Sequence, residues 1–198
     1  MVRRQRTRQS TLPAPLTVSR EALLKDGKDD VFRDLVHGLL AFTARLHAIR
    51  DGYARLIGLT GMQYTILISI AHLQARGEVG VSTIASHLHI SGAFVTAETN
   101  KLVERALVEK RRGSTDRRRV SLHVTPAGRA LLARLAPSQR QVNDTLFECL
   151  VSTSEMERLD TRVQELVGCA DRALSLLGHL RALHEQGAQA GTAAGASS

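Results

Sequence analysis

Apolar residues recur along this chain at helical rather than strand spacing. Phe32, Leu35, Val36, Leu39, Phe42, Leu46 and Ile49 follow one another at three- and four-residue steps, which lays them on one face of an α-helix. The pattern predicts a helix from about Asp29 to Arg50, after which Gly52 and Gly58 loosen the chain. Thr60-Gly61-Met62-Gln63 reads as a capping box, flanked by Leu59 and Tyr64 as a hydrophobic staple. A second helix is therefore expected from Gly61 to about Gln74, closed by Arg76-Gly77.

The middle of the chain changes period. Ser82 caps a short predicted helix holding Ile84, Ala85 and Leu88, and His89-Ile90 makes a turn. Ser91 caps the next helix, with Val95, Thr99 and Leu102 inward. Leu107 to Arg112 reads as a strand, and Val120, Leu122 and Val124 alternate as a returning strand with one buried face. Between them lies a basic turn, Gly113-Ser114-Thr115-Asp116-Arg117-Arg118-Arg119. Thr125-Pro126 is a strong helix start, because proline at the first helical position forgoes an N–H that has no partner there. Pro137 is expected to kink or interrupt that helix. Ser152-Thr153-Ser154-Glu155 is a second capping box, with Val151 and Met156 as its staple. It opens a long stripe through Leu159, Val163, Leu166, Val167, Ala170, Leu174 and Leu177.

The pattern is that of a mainly α protein with a small β-hairpin wing, a winged helix-turn-helix. The helix-turn-helix spans about 82–105 and the wing about 107–124. The helices at about 29–50 and 126–183 carry apolar stripes with no partner in the compact head, so both are expected to dimerise. The folded domain is placed at 29–183. A flexible basic arm is expected over 1–28, where Arg3, Arg4, Arg6 and Arg8 cluster, and a disordered tail over 184–198, rich in Gly, Ala and Ser.

Composition narrows the partner. The 198 residues carry 27 Lys+Arg against 19 Asp+Glu, a formal charge of +8. That balance suits a polyanion, most simply duplex DNA. Aromatic residues make up only 3% and Trp is absent, which argues against modules that stack single-stranded bases on aromatic platforms. No apolar run follows the first arginines, so neither a secretory leader nor a membrane span is expected. Cys149 and Cys169 make no disulfide framework, and a cytoplasmic location with buried, inert thiols is expected. His87-x-His89 lacks a carboxylate or cysteine partner nearby in sequence, so no metal site and no cofactor are expected. Nothing resembles a nucleophile with a positioned base, a phosphate loop or a paired-carboxylate site, and an enzyme is not expected.

Several of these stretches together resemble the MarR family of bacterial winged-helix regulators. They are Gly58-Leu59-Thr60-x-x-Gln63-Tyr64, the helix-turn-helix, Asp116-Arg117-Arg118-Arg119, and Val124-Thr125-Pro126-Ala127-Gly128-Arg129. The resemblance covers about Asp29 to Leu180. It implies a homodimer whose terminal helices pair, with two winged heads on a palindromic double-stranded operator. Family members are typically repressors released by a small ligand or by oxidation.

The resemblance assigns Arg118 to the minor groove and Asp116 to holding the wing loop, with Arg112, Arg117 and Arg119 flanking. On the recognition helix the outward candidates are Ser91, Gly92, Ala93, Phe94, Thr96, Ala97, Asn100 and Lys101. This chain departs from the common pattern at Ala97, where many members carry a basic or polar residue, and Glu98 sits oddly beside a phosphate backbone. Base readout then leans on Thr96, Asn100 and apolar contact to thymine methyls. The block from Ser91 to Thr96 also resembles members that control aromatic-acid catabolism through CoA thioesters, so such an acid or its thioester is the expected effector. His37, His47, Arg50, Tyr53, Met62 and Tyr64 are candidate effector contacts, each equally at home as an ordinary residue of an amphipathic helix. Against a ligand-released repressor stand a constitutive or architectural DNA-binding protein, a redox-responsive regulator, and an activator on the same fold.

Overall fold

The computed structural model describes residues 15–112 and 120–195. Its elements in chain order are α1 (Asp30–Leu56), α2 (Gly61–Leu73), α3 (Val81–Leu88), α4 (Gly92–Glu104), β1 (Val108–Arg112), β2 (Val120–Val124), α5 (Pro126–Leu146) and α6 (Thr153–Gly195), preceded by a 3-10 turn at Glu21–Leu23. The chain divides into two compact units, one ending at Gln139 and the other starting at Arg140.

The first unit is organised around α2, which packs on α1, α3, α4 and β2. Ile66, Leu67 and Ile70 are fully buried, and Ile84, Val95, Leu102, Leu122 and Val124 close around them. Leu135 of α5 joins the same core. β1 and β2 pair antiparallel, with Val108 opposite Val124 and Lys110 opposite Leu122. The Leu122 amide donates to the Val79 carbonyl at 2.7 Å, which ties the hairpin to the approach of α3.

The caps at α2, α4 and α5 form as read from sequence. The Gln63 amide donates to Thr60 Oγ1 at 3.2 Å while the Thr60 amide donates to Gln63 Oε1 at 3.2 Å. The Phe94 amide donates to Ser91 Oγ at 3.2 Å, and the Gly128 amide to Thr125 Oγ1 at 3.0 Å. Each satisfies an N–H that the helix leaves without a partner.

The helices α1, α3 and α5 depart from the expected bounds or continuity. α1 runs through Gly52 to Leu56, six residues past the expected stop. It stops at Gly58, which takes φ +68°. The Leu59 amide bonds the Ala54 carbonyl at 2.9 Å and the Gly58 amide the Arg55 carbonyl at 3.2 Å, a Schellman closure. α3 begins at Val81 rather than after Ser82, because the Gly80 amide donates to Thr83 Oγ1 at 3.2 Å. α5 passes through Pro137 without interruption. Pro137 and Ala133 are both exposed, so water reaches the carbonyl whose helical donor is lost.

Three further expectations need correction. Residues 15–28 are not a featureless arm. Thr17 donates to Asp29 Oδ2 through its amide at 2.8 Å and its hydroxyl at 2.7 Å, and Arg33 donates to the Pro15 carbonyl at 2.7 Å. Residues 1–14 lie outside the described part. In the second unit, α6 continues to Gly195 where a disordered tail was expected from 184, since Ala, Gln and Glu there favour helix. The staple at its start does not close, leaving Val151 82% exposed and Met156 exposed. The Ser152 cap itself forms, with the Glu155 amide on Ser152 Oγ at 3.3 Å, but the Glu155 carboxylate reaches back to the Val151 amide instead of that of Ser152.

Among the described residues no single helix is long and apolar enough to cross a membrane. Val31, Leu35, Val36, Leu39, Leu40 and Phe42 of α1 are exposed, as are Leu159, Val163, Leu166, Val167, Leu174 and Leu177 of α6.

Candidate nucleic-acid interface

α4 sorts its residues cleanly. Val95, Thr99 and Leu102 are fully buried, and Ser91, Gly92, Ala93, Phe94, Thr96, Ala97, Asn100 and Lys101 are all exposed. Ala93, Thr96, Ala97 and Asn100 follow i, i+3, i+4, i+7 spacing, so they form one stripe. The stripe is made of small side chains, which lets the helix backbone come close to whatever it faces. Thr96 Oγ1 donates to the Gly92 carbonyl at 2.8 Å, which leaves its oxygen as an acceptor.

Glu98 is not on this surface. It is 8% exposed, with Oε2 accepting from Gln63 Nε2 at 3.3 Å and Oε1 from Lys101 Nζ at 2.6 Å. Its sequence position beside the outward residues suggested repulsion from phosphate. The structure turns it inward, where it links α4 to the cap of α2.

The strand that follows supplies the charge. Lys110, Arg111 and Arg112 are consecutive and exposed. Arg111 pairs with Glu109. Lys110 Nζ donates to Asn100 Oδ1 at 2.5 Å, which joins the recognition helix to the wing strand. Sequence reasoning did not single out Lys110. The available signal was the two-residue alternation that puts Val108, Lys110 and Arg112 on one face. On β2 the expected alternation fails at its start: Val120 is 45% exposed, while Ser121 is buried and donates to the Arg111 carbonyl at 3.2 Å. Asp116, Arg117, Arg118 and Arg119 lie outside the described residues.

The hairpin is locked to α5 by the Thr125-x-x-Gly128 motif. Thr125 Oγ1 donates to the Ala106 carbonyl at 2.6 Å. A Cβ on Gly128 would overlap the Leu107 carbonyl oxygen and crowd Val124 Cγ1. Glycine is needed there because the helix touches backbone.

Of the six candidate effector contacts, three come together. Tyr53 and Tyr64 meet edge-on with centroids 6.0 Å apart, and the Arg50 guanidinium lies 5.5 Å from the Tyr64 centroid. Gln139 Nε2 donates to the Tyr64 hydroxyl at 2.8 Å, and Arg50 Nε to Thr65 Oγ1 at 3.3 Å. Burial pushes both phenols above their ordinary range, and Arg50 partly opposes this at Tyr64. Met62 is half-buried against the same core. His37 and His47 are exposed along α1 and do not join the cluster.

His87 and His89 end α3 on the surface. Partial burial holds His87 below the usual imidazole range, and electrostatic repulsion from the neighbouring His72, His89, Arg50 and Arg76 pushes the same way. The thiols are not buried as expected. Cys149 is exposed in the turn after α5, and Cys169 is exposed on α6, where its Sγ accepts from Arg172 Nη2 at 3.1 Å. At Cys169 the apolar neighbours in sequence do not bury the thiol, because the α6 stripe is itself uncovered.

A helix presented by a preceding short helix and flanked by a basic two-stranded hairpin defines a winged helix-turn-helix protein. The MarR family's sequence profile matches residues 57–119. The chain is 31% identical over 133 residues to a putative transcriptional regulatory protein for the hcr operon of Thauera aromatica, covering 62% of this chain and 77% of that one. It is 30% identical over 77 residues to the uncharacterized HTH-type transcriptional regulator YpoP of Bacillus subtilis, covering 39% of this chain and 55% of that protein. In fold it is similar to the transcriptional regulator BldR of Sulfolobus solfataricus, with TM-score 0.57 and 19% identity over 70% of this chain and 97% of that one. It is also similar to the MepR of a MepR–DNA complex from Staphylococcus aureus, with TM-score 0.52 and 17% identity over 75% and 98%. The chain belongs to the MarR family and is a DNA-binding transcriptional regulator, not an enzyme.

Proposed function

We propose that the protein is a homodimeric repressor that reads a palindromic operator and is released from it by a small aromatic acid or the CoA thioester of one. The observation that carries sequence-specific binding is the small-residue stripe of α4 beside the cationic strand β1. A close-approaching helix fits the major groove, and the arginines of the 113–119 turn extend the contact to phosphate and minor groove.

Dimerisation is supported by the exposed apolar stripes of α1 and α6. Surfaces of that kind are covered in stable proteins, here by a second copy. A two-fold dimer presents two recognition helices, which calls for a palindrome.

The effector reading rests on Arg50, Tyr53 and Tyr64. A guanidinium over a phenol ring is chemistry that a carboxylate on an aromatic ring can compete for. Release needs the ligand to favour a head spacing that cannot span the operator, and about 5.5 kcal/mol of differential affinity swings the population fully.

The test is sedimentation at sub-micromolar concentration, followed by titration of the operator-bound protein with aromatic acids and their CoA thioesters, read by mobility shift. A dimer displaced by one of these at micromolar concentration is expected. A stable monomer overturns the dimer. Equal affinity for operator and random DNA at fixed salt overturns the specific repressor in favour of an architectural protein.

A further inference from the structure

We propose that Lys110 and Asn100 act as one donor pair that selects guanine in the operator, with Lys110 as the residue that sets the preference. This rests on the reading of α4 as a sequence-specific recognition helix.

The chemistry follows from the 2.5 Å contact between Lys110 Nζ and Asn100 Oδ1. An ammonium has donors and no acceptor, so it meets the amide through its oxygen and turns the NH2 group away. Both side chains are exposed, and among the described residues Asn100 Nδ2 has no protein partner. The pair therefore presents N–H donors from two side chains, and one lone pair of Oδ1 is already in use.

A free asparagine suits adenine, donating to N7 while accepting from the N6 amino group. Lys110 opposes that mode. Its ammonium stands at the oxygen that the adenine amino group would approach, placing donor against donor. Guanine is the base whose major-groove edge offers two adjacent acceptors, N7 and O6. A donor-only pair matches it.

The rest of the stripe does not compete. Ala93 and Ala97 have no polar side-chain atoms, and Thr96 spends its proton on the Gly92 carbonyl. Lys101 lies one residue off the stripe and is paired with the inward Glu98 at 2.6 Å. Asn100 with Lys110 is thus the donor group through which this stripe reads an acceptor edge.

The experiment selects operators from a random DNA pool with the full chain and with Lys110→Met, Lys110→Arg and Asn100→Ala. The selected site is then bound with single-base changes at one salt concentration. The native protein should require guanine at one symmetric position. Asn100→Ala should lose discrimination there. Lys110→Met should raise adenine relative to guanine by about tenfold, within the range of discrimination that a bidentate base contact supplies, while Lys110→Arg keeps guanine.

Uniform weakening of all four bases in Lys110→Met would make Lys110 a plain charge contact and overturn the proposal. So would adenine as the native preference at the position lost in Asn100→Ala. If the native protein enriches a motif that neither substitution alters, this inference alone fails. If it enriches no motif, sequence-specific binding fails and the pair's role falls with it.

Discussion

Gln63 serves two elements at once: its Oε1 caps the start of α2, and its Nε2 donates to the buried Glu98 Oε2 of α4 at 3.3 Å. The recognition helix is thereby fastened through the cap of the helix behind it. Gln63→Ala should destabilise the fold by about 2 kcal/mol, since a bond to a charged, buried acceptor is lost with half of the capping box. Urea unfolding of Gln63→Ala, Glu98→Ala and the double variant checks this. The two losses should be coupled by about 0.5 kcal/mol or more, and simple additivity would show the contact to be idle.

Gly128→Ala should destabilise by about 1–3 kcal/mol, because the added methyl meets the Leu107 carbonyl and Val124. The neighbour is backbone, so it has little room to give. A drop in Tm without loss of helical content is the expected result, and an unchanged Tm would contradict the close approach.

Ala106 ends α4 at φ +56°. The Leu107 amide reaches the Leu102 carbonyl at 2.9 Å and the Ala106 amide the Val103 carbonyl at 2.8 Å, the same closure that Gly58 gives α1. An L side chain is strained there. Ala106→Gly should therefore stabilise, by up to about 1 kcal/mol after the extra entropy of glycine in the unfolded chain. Destabilisation measured in urea would show the strain to be absent.

Asp29 holds residues 15–28 to the start of α1, and its bonds from Arg33 and Thr17 keep its carboxyl far below the usual carboxylate range. A depressed carboxyl pKa contributes stability that is present above the unfolded value of 3.8 and is lost as pH falls through the lower, folded value. Hydrogen exchange in 15–28, taken relative to the intrinsic rate at each pH, should accordingly be slow near neutral pH and rise below the unfolded value. Asp29→Asn should raise it at neutral pH, and protection that survives this substitution would sink the account.

Arg118→Ala should weaken operator binding by on the order of 1–3 kcal/mol per half-site while leaving fold and assembly intact. The expectation rests on the sequence alone, where Arg117, Arg118 and Arg119 follow one another with no apolar residue among them to call for a core role. Anisotropy titration at fixed salt measures it, and unchanged affinity would remove the wing from the interface.

What the sequence determined by itself was local. The Thr60, Ser91 and Thr125 caps each pair a side chain with an amide three residues on, so a short window contains both partners. The buried face of α4 follows from helical spacing, and the inward Leu122 and Val124 of β2 from two-residue alternation. Tertiary structure decided the rest, because the deciding partner lies far along the chain or in no single window. Glu98 turns inward because Gln63, 35 residues earlier, is there to meet it. Gly128 must be glycine because the Leu107 carbonyl passes beside it. Ala106 ends α4 in the left-handed region, at φ 56°, without the glycine that would have marked the stop, whereas the turn at His89, at φ 53°, was legible in the sequence. Lys110 finds Asn100 only once the hairpin folds back beside α4, a proximity that neither residue's own neighbours in sequence encode.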